Sequence, residues 1–404
     1  MTQLPDPPPL DSAGSPNPPR VRSLQELLDL ASGRSPADIG PQEDAGLAET
    51  LPFPFLGLVG QEEMKLALLL AVINPHIGGV LLLGPRGTGK TTAVRSLSNL
   101  LPQVQRSTCF YGCLPEDIES GGIDAVCPDC AKKYGEGRPL TRVEPARLVE
   151  LPLNARIEDV VGGLDERSEI HDRLRLKRGI LAQADLNLLY VDEVNLLADE
   201  IVDAILDAAA QGTYHVRRGP ISATYRARFT LIGSMNPEEG RLRPQIMDRF
   251  GLRVITRGLD CPDDRLEAYR RVRAFQENPR RVNHAYAAET ELARDEIQAA
   301  RDRLPDVRLP DEIAQAGIQL TRTLNIHSLR AEITLFEAAR ALAAADSRDE
   351  VSCADLRQVA PMALRLRRSE YMARFFKEQA EEEAEMMAGL DHTPGIELKE
   401  GDKP

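Results

Sequence analysis

The sequence contains no tryptophan, and aromatic residues make up only 4 % of it. A core in a chain of 404 residues therefore cannot rest on large rings; it must be built from Leu, Val, Ile and Ala. Long apolar runs are also missing. The longest near candidate, "LALLLAVI" at 66–73, spans eight residues, against the roughly 18 that a membrane-crossing helix needs. The first residues carry no apolar segment of the kind found in secretory leaders. Positive charge is the scarcer sign: 50 Lys and Arg face 63 Asp and Glu, a net charge of −13. That balance argues against gripping bare nucleic acid, because such binding grows with the number of phosphates neutralised. The expectation is a soluble, cytoplasmic chain with no membrane span and no nucleic-acid partner. Its six cysteines then read as metal ligands or free thiols rather than disulfides.

What is present is a loop for phosphate. "GPRGTGKTT" at 84–92 has the spacing G-x-x-x-x-G-K-T from Gly84 to Thr91. Val80 to Leu83 before it read as a short buried strand, and Thr92 to Leu100 after it as the start of a helix. In that context Gly84, Pro85, Arg86, Gly87, Thr88, Gly89, Lys90, Thr91 and Thr92 form the candidate nucleotide-binding segment. Its glycines let backbone N–H groups curve around phosphate oxygens where a Cβ would obstruct. Lys90 would reach the β- and γ-phosphates of ATP, and the Thr91 hydroxyl would ligate Mg²⁺. A second apolar strand, Leu188 to Val191, ends in Asp192 and Glu193. Asp192 would hold Mg²⁺ and Glu193 would orient or deprotonate the attacking water. Together the two elements predict nucleoside triphosphate hydrolysis.

The rest of the chain alternates strand and helix signals before turning helical. Residues 1–50 are rich in Pro, Asp and Ser and forbid regular structure, apart from the amphipathic "SLQELLDLA" at 23–31, which reads equally as a docking helix or a transient one. Residues 58–75 read as a helix stopped at Pro75, 147–153 as a further apolar segment, and 227–237 and 252–256 as strands. A helix follows Glu193, with Leu197, Ile201, Ile205 and Ala208 on one face. Alternation of this kind predicts an α/β fold with a parallel sheet in three layers, with ligands beyond the C-terminal strand ends. Lys90, Asp192 and Asn236 each fall just past such an end. The predicted organisation is a P-loop core over 51–258, a smaller all-helical lid over 259–373 and an acidic tail over 374–404.

Phosphoryl transfer spreads negative charge over equatorial oxygens, which a guanidinium fork stabilises. Arg243 and Arg249 follow the turn after Asn236, and Arg330 lies in "HSLRAEI" of the helical region, from which it would touch the same phosphate. At this level of detail the chain resembles AAA+ ATPases, and more closely the motor subunit I family of magnesium chelatase. The stretches that carry the likeness are 52–92, "LLYVDEVNLLADEIVDAILDAAAQG", "ARFTLIGSMNPEEGRLRPQIMDRFGL" and "HSLRAEITLFEAARALAA". The resemblance implies a hexameric ring with ATP at subunit interfaces. It implies, too, middle and large chelatase partners, and hydrolysis coupled to insertion of Mg²⁺ into protoporphyrin IX. By position Asn236 matches sensor 1, Arg249 a finger acting on the neighbouring subunit, and Arg330 sensor 2, with Arg243 a further interface arginine. Residues 214–229 match the hairpin that contacts partners in related motors. The Pro-rich extension and a cysteine-rich insert depart from the family pattern. They keep open a cobalt chelatase motor, or a remodelling chaperone with another client.

The insert holds Cys109, Cys113, Cys127 and Cys130, spaced C-x3-C-x13-C-x2-C. Two close pairs separated by a loop suit a tetrahedral Cys₄ site, most simply for Zn²⁺, though an Fe–S cluster also takes four thiolates. Cys261 and Cys353 stand apart as small buried residues or surface thiols. His76, His171, His215, His284, His327 and His392 have no partner at ligand spacing and read as packing or surface residues.

Overall fold

The computed structural model of the chain describes residues 51–109, 112–163, 178–218, 221–240, 242–368 and 370–391. The Pro-rich extension with its 23–31 segment, His171, His392 and the end of the acidic tail lie outside them.

Five parallel strands form the central sheet: β1 (Val80–Leu83), β4 (Leu148–Leu151), β5 (Leu188–Val191), β8 (Thr230–Met235) and β9 (Leu252–Ile255), in the order β4-β5-β8-β1-β9. Their register places Leu81 opposite Gly233 and Tyr190 opposite Ile232. Successive side chains of a strand leave on opposite faces. Here Val80, Leu82, Leu188 and Tyr190 join one core and Leu81, Leu83, Leu189 and Val191 the other. Both faces are therefore covered, which is why these strands are apolar without alternation.

The first helix, α1 (Glu62–Ile73), is apolar on nearly every side and buried in the first core. It starts later than residue 58 because Gly60 and Gln61 both take left-handed backbone angles. Next come α2 (Lys90–Ser96), continued by a 3₁₀ turn over Leu97–Leu100, then α3 (Pro115–Gly121) and α4 (Pro128–Gly135) in the cysteine insert. Two short helices follow, α5 (Ile157–Val161) and α6 (Ile180–Gln183), then α7 (Asp199–Gln211) and α8 (Pro244–Arg249). The amphipathic α7 buries Ile201, Val202, Ile205, Leu206 and Ala208 in the second core. Two antiparallel ribbons stand outside the sheet: β2 (Gln103–Ser107) with β3 (Thr141–Pro145), and β6 (Thr213–Arg218) with β7 (Ile221–Arg226). The second is the hairpin expected from the sequence. The first was not anticipated: it flanks the cysteine insert, and its strands carry little apolar alternation to betray them.

After β9 no further strand occurs among the described residues. The helices are α9 (Pro262–Glu277), α10 (Pro279–Ala285), α11 (Ala287–Arg303), α12 (Asp311–Thr323), α13 (Leu329–Ala345), α14 (Cys353–Leu364) and α15 (Glu370–Asp391). The most buried is α13. It packs on α11, α12 and α14 and reaches back to α1. Its alanines at 331, 338, 339, 341, 343 and 344 are all buried, and their small size allows neighbouring helices close approach. Asn74, at the end of α1, donates to the Glu337 carbonyl (3.1 Å) and carboxylate (2.7 Å), binding sheet layer to helical region. Cys261 and Cys353 are both exposed.

A buried acid anchors α14. Asp355 accepts both arms of the Arg348 fork, at 2.7 and 2.5 Å, and the Ser352 amide at 2.7 Å, closing a capping box. Burial alone would raise its pKa, but the Arg348 fork and the Ser352 cap outweigh it and hold the carboxyl below its usual range. A depressed folded-state pKa contributes stability above the ordinary carboxylate range, which is lost as pH falls through the folded value. Asp355→Asn is accordingly expected to lower stability in urea unfolding by about 2 kcal/mol at pH 7. The difference between the two proteins should shrink towards acid pH. A gap that stays constant down to acid pH would assign the loss to shape rather than charge.

Candidate active site

The loop between β1 and α2 closes against the end of β9. A Cβ on Gly84 would stand 2.3 Å from the Thr256 carbonyl oxygen, so only glycine fits there. Gly87 and Gly89 take φ of 78° and 84°, left-handed angles that glycine adopts without strain. Thr88 ties the loop down by donating to the Pro85 carbonyl (3.0 Å), with its oxygen 3.1 Å from that of Thr256. Lys90 folds back over the loop and donates to the carbonyls of Gly84 (2.7 Å) and Pro85 (2.8 Å). Its burial lowers the ammonium pKa, against the pull of Asp192, Glu239 and Glu193.

The end of β5 brings its two acids to this loop. The Thr91 hydroxyl donates to Asp192 Oδ2 (3.2 Å). Asp192 Oδ1 accepts from Tyr190 (2.9 Å) and from the Ser234 hydroxyl. Glu193 has φ 49° and ψ 52°, a left-handed conformation uncommon outside glycine and asparagine, with its amide 3.1 Å from Ser234 Oγ. Backbone held in this region at a strand end is the kind of strain found where a side chain must be aimed. From the end of β8, Asn236 is buried and donates to Glu239 (2.9 Å), and Glu239 pairs with Arg86 (2.5 Å). The Asn236 donation chiefly, with Arg86 behind it, holds the Glu239 carboxyl below its usual range. Arg86 also lies 3.7 Å from Glu193.

Lys90, Thr91, Asp192, Glu193 and Asn236 are thus gathered at one edge of the sheet, linked through Tyr190, Ser234, Glu239 and Arg86. An ammonium, a hydroxyl and three carboxylates around a glycine loop suit a divalent cation together with a polyphosphate. Tyr190, Ser234 and Glu239 escaped the sequence reading. A polar Ser234 amid the mostly apolar β8 was the available signal, as was Tyr190 two residues before Asp192 and so on the same strand face. Beside the loop lies a cleft of about 350 Å³ whose walls include Val59, Gln61, Met64, Gly89, Thr92 and Leu259. A larger apolar groove of about 700 Å³, between α12 and α14, holds none of the loop or carboxylate residues and is not the place of this chemistry.

The arginines lie elsewhere. Arg249, last residue of α8, pairs with Asp207, while Arg243 lies 2.9 Å from Asp199 and 3.5 Å from Asp203. The three acids recur every four residues along one face of α7. Arg330 donates to the Asp248 carbonyl (3.2 Å) and lies 3.8 Å from its carboxylate. It is placed beside the helix that ends in Arg249, not on the P-loop of its own chain. Arg367 (2.8 Å) and the fully buried Arg253 (3.6 Å) share the same Asp248.

The four insert cysteines converge: their sulfur atoms all lie within 4.8 Å of one another. A tetrahedral ion with bonds of about 2.3 Å sets thiolates roughly 3.8 Å apart, so the tetrad fits one ion of that kind. Cys109 Sγ accepts from the Ser107 hydroxyl (3.4 Å) and the Cys113 amide (3.3 Å), and Cys113 Sγ from the Cys127 amide (3.3 Å). Burial opposes ionisation of Cys109, yet the Ser107 hydroxyl and the Cys113 amide bring it down to about 6. Burial pushes Cys113 up to about 11.

A P-loop opposite a strand ending in two acids, in a five-stranded parallel sheet followed by a helical region, defines a P-loop ATPase of the AAA+ class. Family models agree: "AAA lid domain" matches residues 314–387, "MCM P-loop domain" 161–252 and "Magnesium chelatase, subunit ChlI" 55–112. A magnesium-chelatase subunit ChlI homolog of Methanocaldococcus jannaschii is 41 % identical over 323 residues, 79 % of this chain and 87 % of its own length. The magnesium-chelatase 38 kDa subunit of Acidiphilium rubrum is 42 % identical over 317 residues, 78 % of this chain and 90 % of its own. A crystal structure from Cytophaga hutchinsonii, 19 % identical, matches the fold with a TM-score of 0.51 over 79 % of this chain and 87 % of its own. The chain belongs to the magnesium chelatase subunit ChlI family.

Proposed function

We propose that this chain is the ATP-hydrolysing motor of a magnesium chelatase-type complex, and that it remodels partner subunits to drive Mg²⁺ into protoporphyrin IX. The observation that carries the reading is the meeting of Lys90 and Thr91 with Asp192 and Glu193 at the end of β5. The loop 84–92 would cradle the phosphates, with the cleft beside it taking the purine. Thr91 and Asp192 would hold the Mg²⁺ that accompanies ATP, which neutralises phosphate charge when bound. Glu193 takes the proton of the attacking water, and Asn236 orients that water or the terminal phosphate.

The active unit in this reading is a ring of copies, six by family likeness, with a core over 51–258 and a lid over 259–373. Each copy lends Arg249 to its neighbour's nucleotide. Arg330 supports the arrangement, because it sits at α8 flanked by Leu329 and Ile333, which are 72 % and 57 % exposed. Such apolar exposure beside two arginines suits a covered interface. The cysteine tetrad takes no part in hydrolysis and is assigned a resident structural ion, Zn²⁺.

Reconstitution with middle and large subunits of the family tests the proposal. Mg-protoporphyrin should form, followed by absorbance, only with ATP and this chain present. ATP turnover without any metal insertion would favour a remodelling role on another client; insertion of Co²⁺ alone would favour the cobalt reading.

A further inference from the structure

The cysteine insert cannot hold itself together by apolar packing. Its buried cluster consists of Cys113, Cys130 and Leu140, with only Ile118 and Val126 half-buried against it besides the other two cysteines, while Ile123 and Tyr134 remain exposed. So small a core needs a covalent or metal staple. The tetrad fits one: a single ion touches all four sulfurs, whereas an iron–sulfur cluster interposes sulfides that hold thiolates further apart. Amides donating to Cys109 and Cys113 supply the outer shell that thiolate ligands need.

The insert is also tied to a distant part of the chain. Arg226, at the base of the β6–β7 hairpin opposite Thr213, donates to the Gly112 carbonyl (2.8 Å) and to the Asp117 carboxylate. Gly112 lies in the turn between Cys109 and Cys113. Asp117, the third residue of α3, in turn accepts the amide of Leu114, the residue directly after Cys113 (2.8 Å). One acceptor of Arg226 therefore lies in the Cys109–Cys113 turn and the other is bonded to the residue that follows it. Beyond Arg226 the chain runs through Phe229 into β8, which carries Ser234 and is followed directly by Asn236.

We infer that Zn²⁺ bound by Cys109, Cys113, Cys127 and Cys130 clamps the base of the β6–β7 hairpin, with Arg226 as the positioning residue that joins the two. The inference rests on the metal assignment made above and adds what the ion does. Binding expels the protons the thiols carry, fixes the Gly112 carbonyl and Asp117, and gives Arg226 two acceptors in one geometry. The hairpin is thereby held in one position by an insert remote from it in sequence.

The test uses the full chain, with elemental analysis for metal and hydrogen–deuterium exchange for the hairpin. The untreated protein should carry about one zinc per chain. Removing it with a chelator should speed exchange over 213–226 roughly tenfold, the loss expected for hydrogen bonds to a charged group, and adding Zn²⁺ back should reverse this. Arg226→Gln should keep its zinc yet show the same fast hairpin exchange, and chelation of that variant should add nothing at the hairpin. A chain without bound metal, or one holding iron with visible absorbance, overturns the zinc assignment. Zinc present while hairpin exchange ignores both chelation and Arg226→Gln overturns the clamp alone. Chelation of the parent chain keeps the test valid if cysteine variants fail to fold.

Discussion

Glu193→Gln is expected to bind ATP about as well as the parent chain and to hydrolyse it about 10² to 10⁴ times more slowly, the usual worth of a positioned general base. The change is nearly isosteric. The left-handed backbone at Glu193 and its amide contact to Ser234 do not involve the carboxylate, so both should survive. What would be lost is the proposed proton acceptor. Phosphate release and equilibrium binding of a fluorescent ATP analogue measure the two halves of the prediction. Turnover within tenfold of the parent would remove Glu193 from its role. Glu239 would then be the next carboxylate to test, since Arg86 holds it close by. Loss of binding together with turnover would mean that Glu193 shapes the ground state, which its 3.7 Å separation from Arg86 does not suggest.

The sheet and the phosphate loop were legible because each obeys a local rule. Buried parallel strands read as unbroken apolar runs, and Val80–Leu83 and Leu188–Val191 have the predicted limits. Gly84, Gly87 and Gly89 answer to a close approach and two left-handed angles, constraints that one residue type satisfies. The convergence of four cysteines also followed from spacing, since two short turns each deliver a pair. The unread features depend on partners far away in the chain. The β2–β3 ribbon has half-exposed polar strands whose pairing is set across an insert of more than thirty residues. Arg226 is an ordinary strand arginine until Gly112 and Asp117 arrive beside it. Arg330 was read as touching the same phosphate as the other arginines. Its place at Asp248 is decided by how α13 lies on α8, which no local pattern records.

Arg249→Ala is expected to retain ATP binding and lose hydrolysis by about 10³ to 10⁵, the range typical of an arginine finger. Among the described residues its one ion pair is with Asp207, a half-exposed acid on the surface of α7. Losing a contact of that kind costs little stability, so the variant should fold and assemble. The decisive measurement mixes it with Glu193→Gln. Each variant alone should be inactive, one for want of a finger to give and the other for want of a base. In a ring with head-to-tail interfaces, an Arg249→Ala subunit beside a Glu193→Gln subunit receives an intact finger and keeps its own base. Random assembly of equal amounts should then restore about a quarter of the parent's interfaces. A finger acting within its own chain predicts no restoration at any ratio. Arg330→Ala offers an internal comparison, because Arg330 touches the Asp248 carbonyl on the same helix end. If it too regains turnover only in mixed rings, both arginines serve the neighbour's nucleotide, and the α8–α13 junction is the edge through which one subunit senses the next.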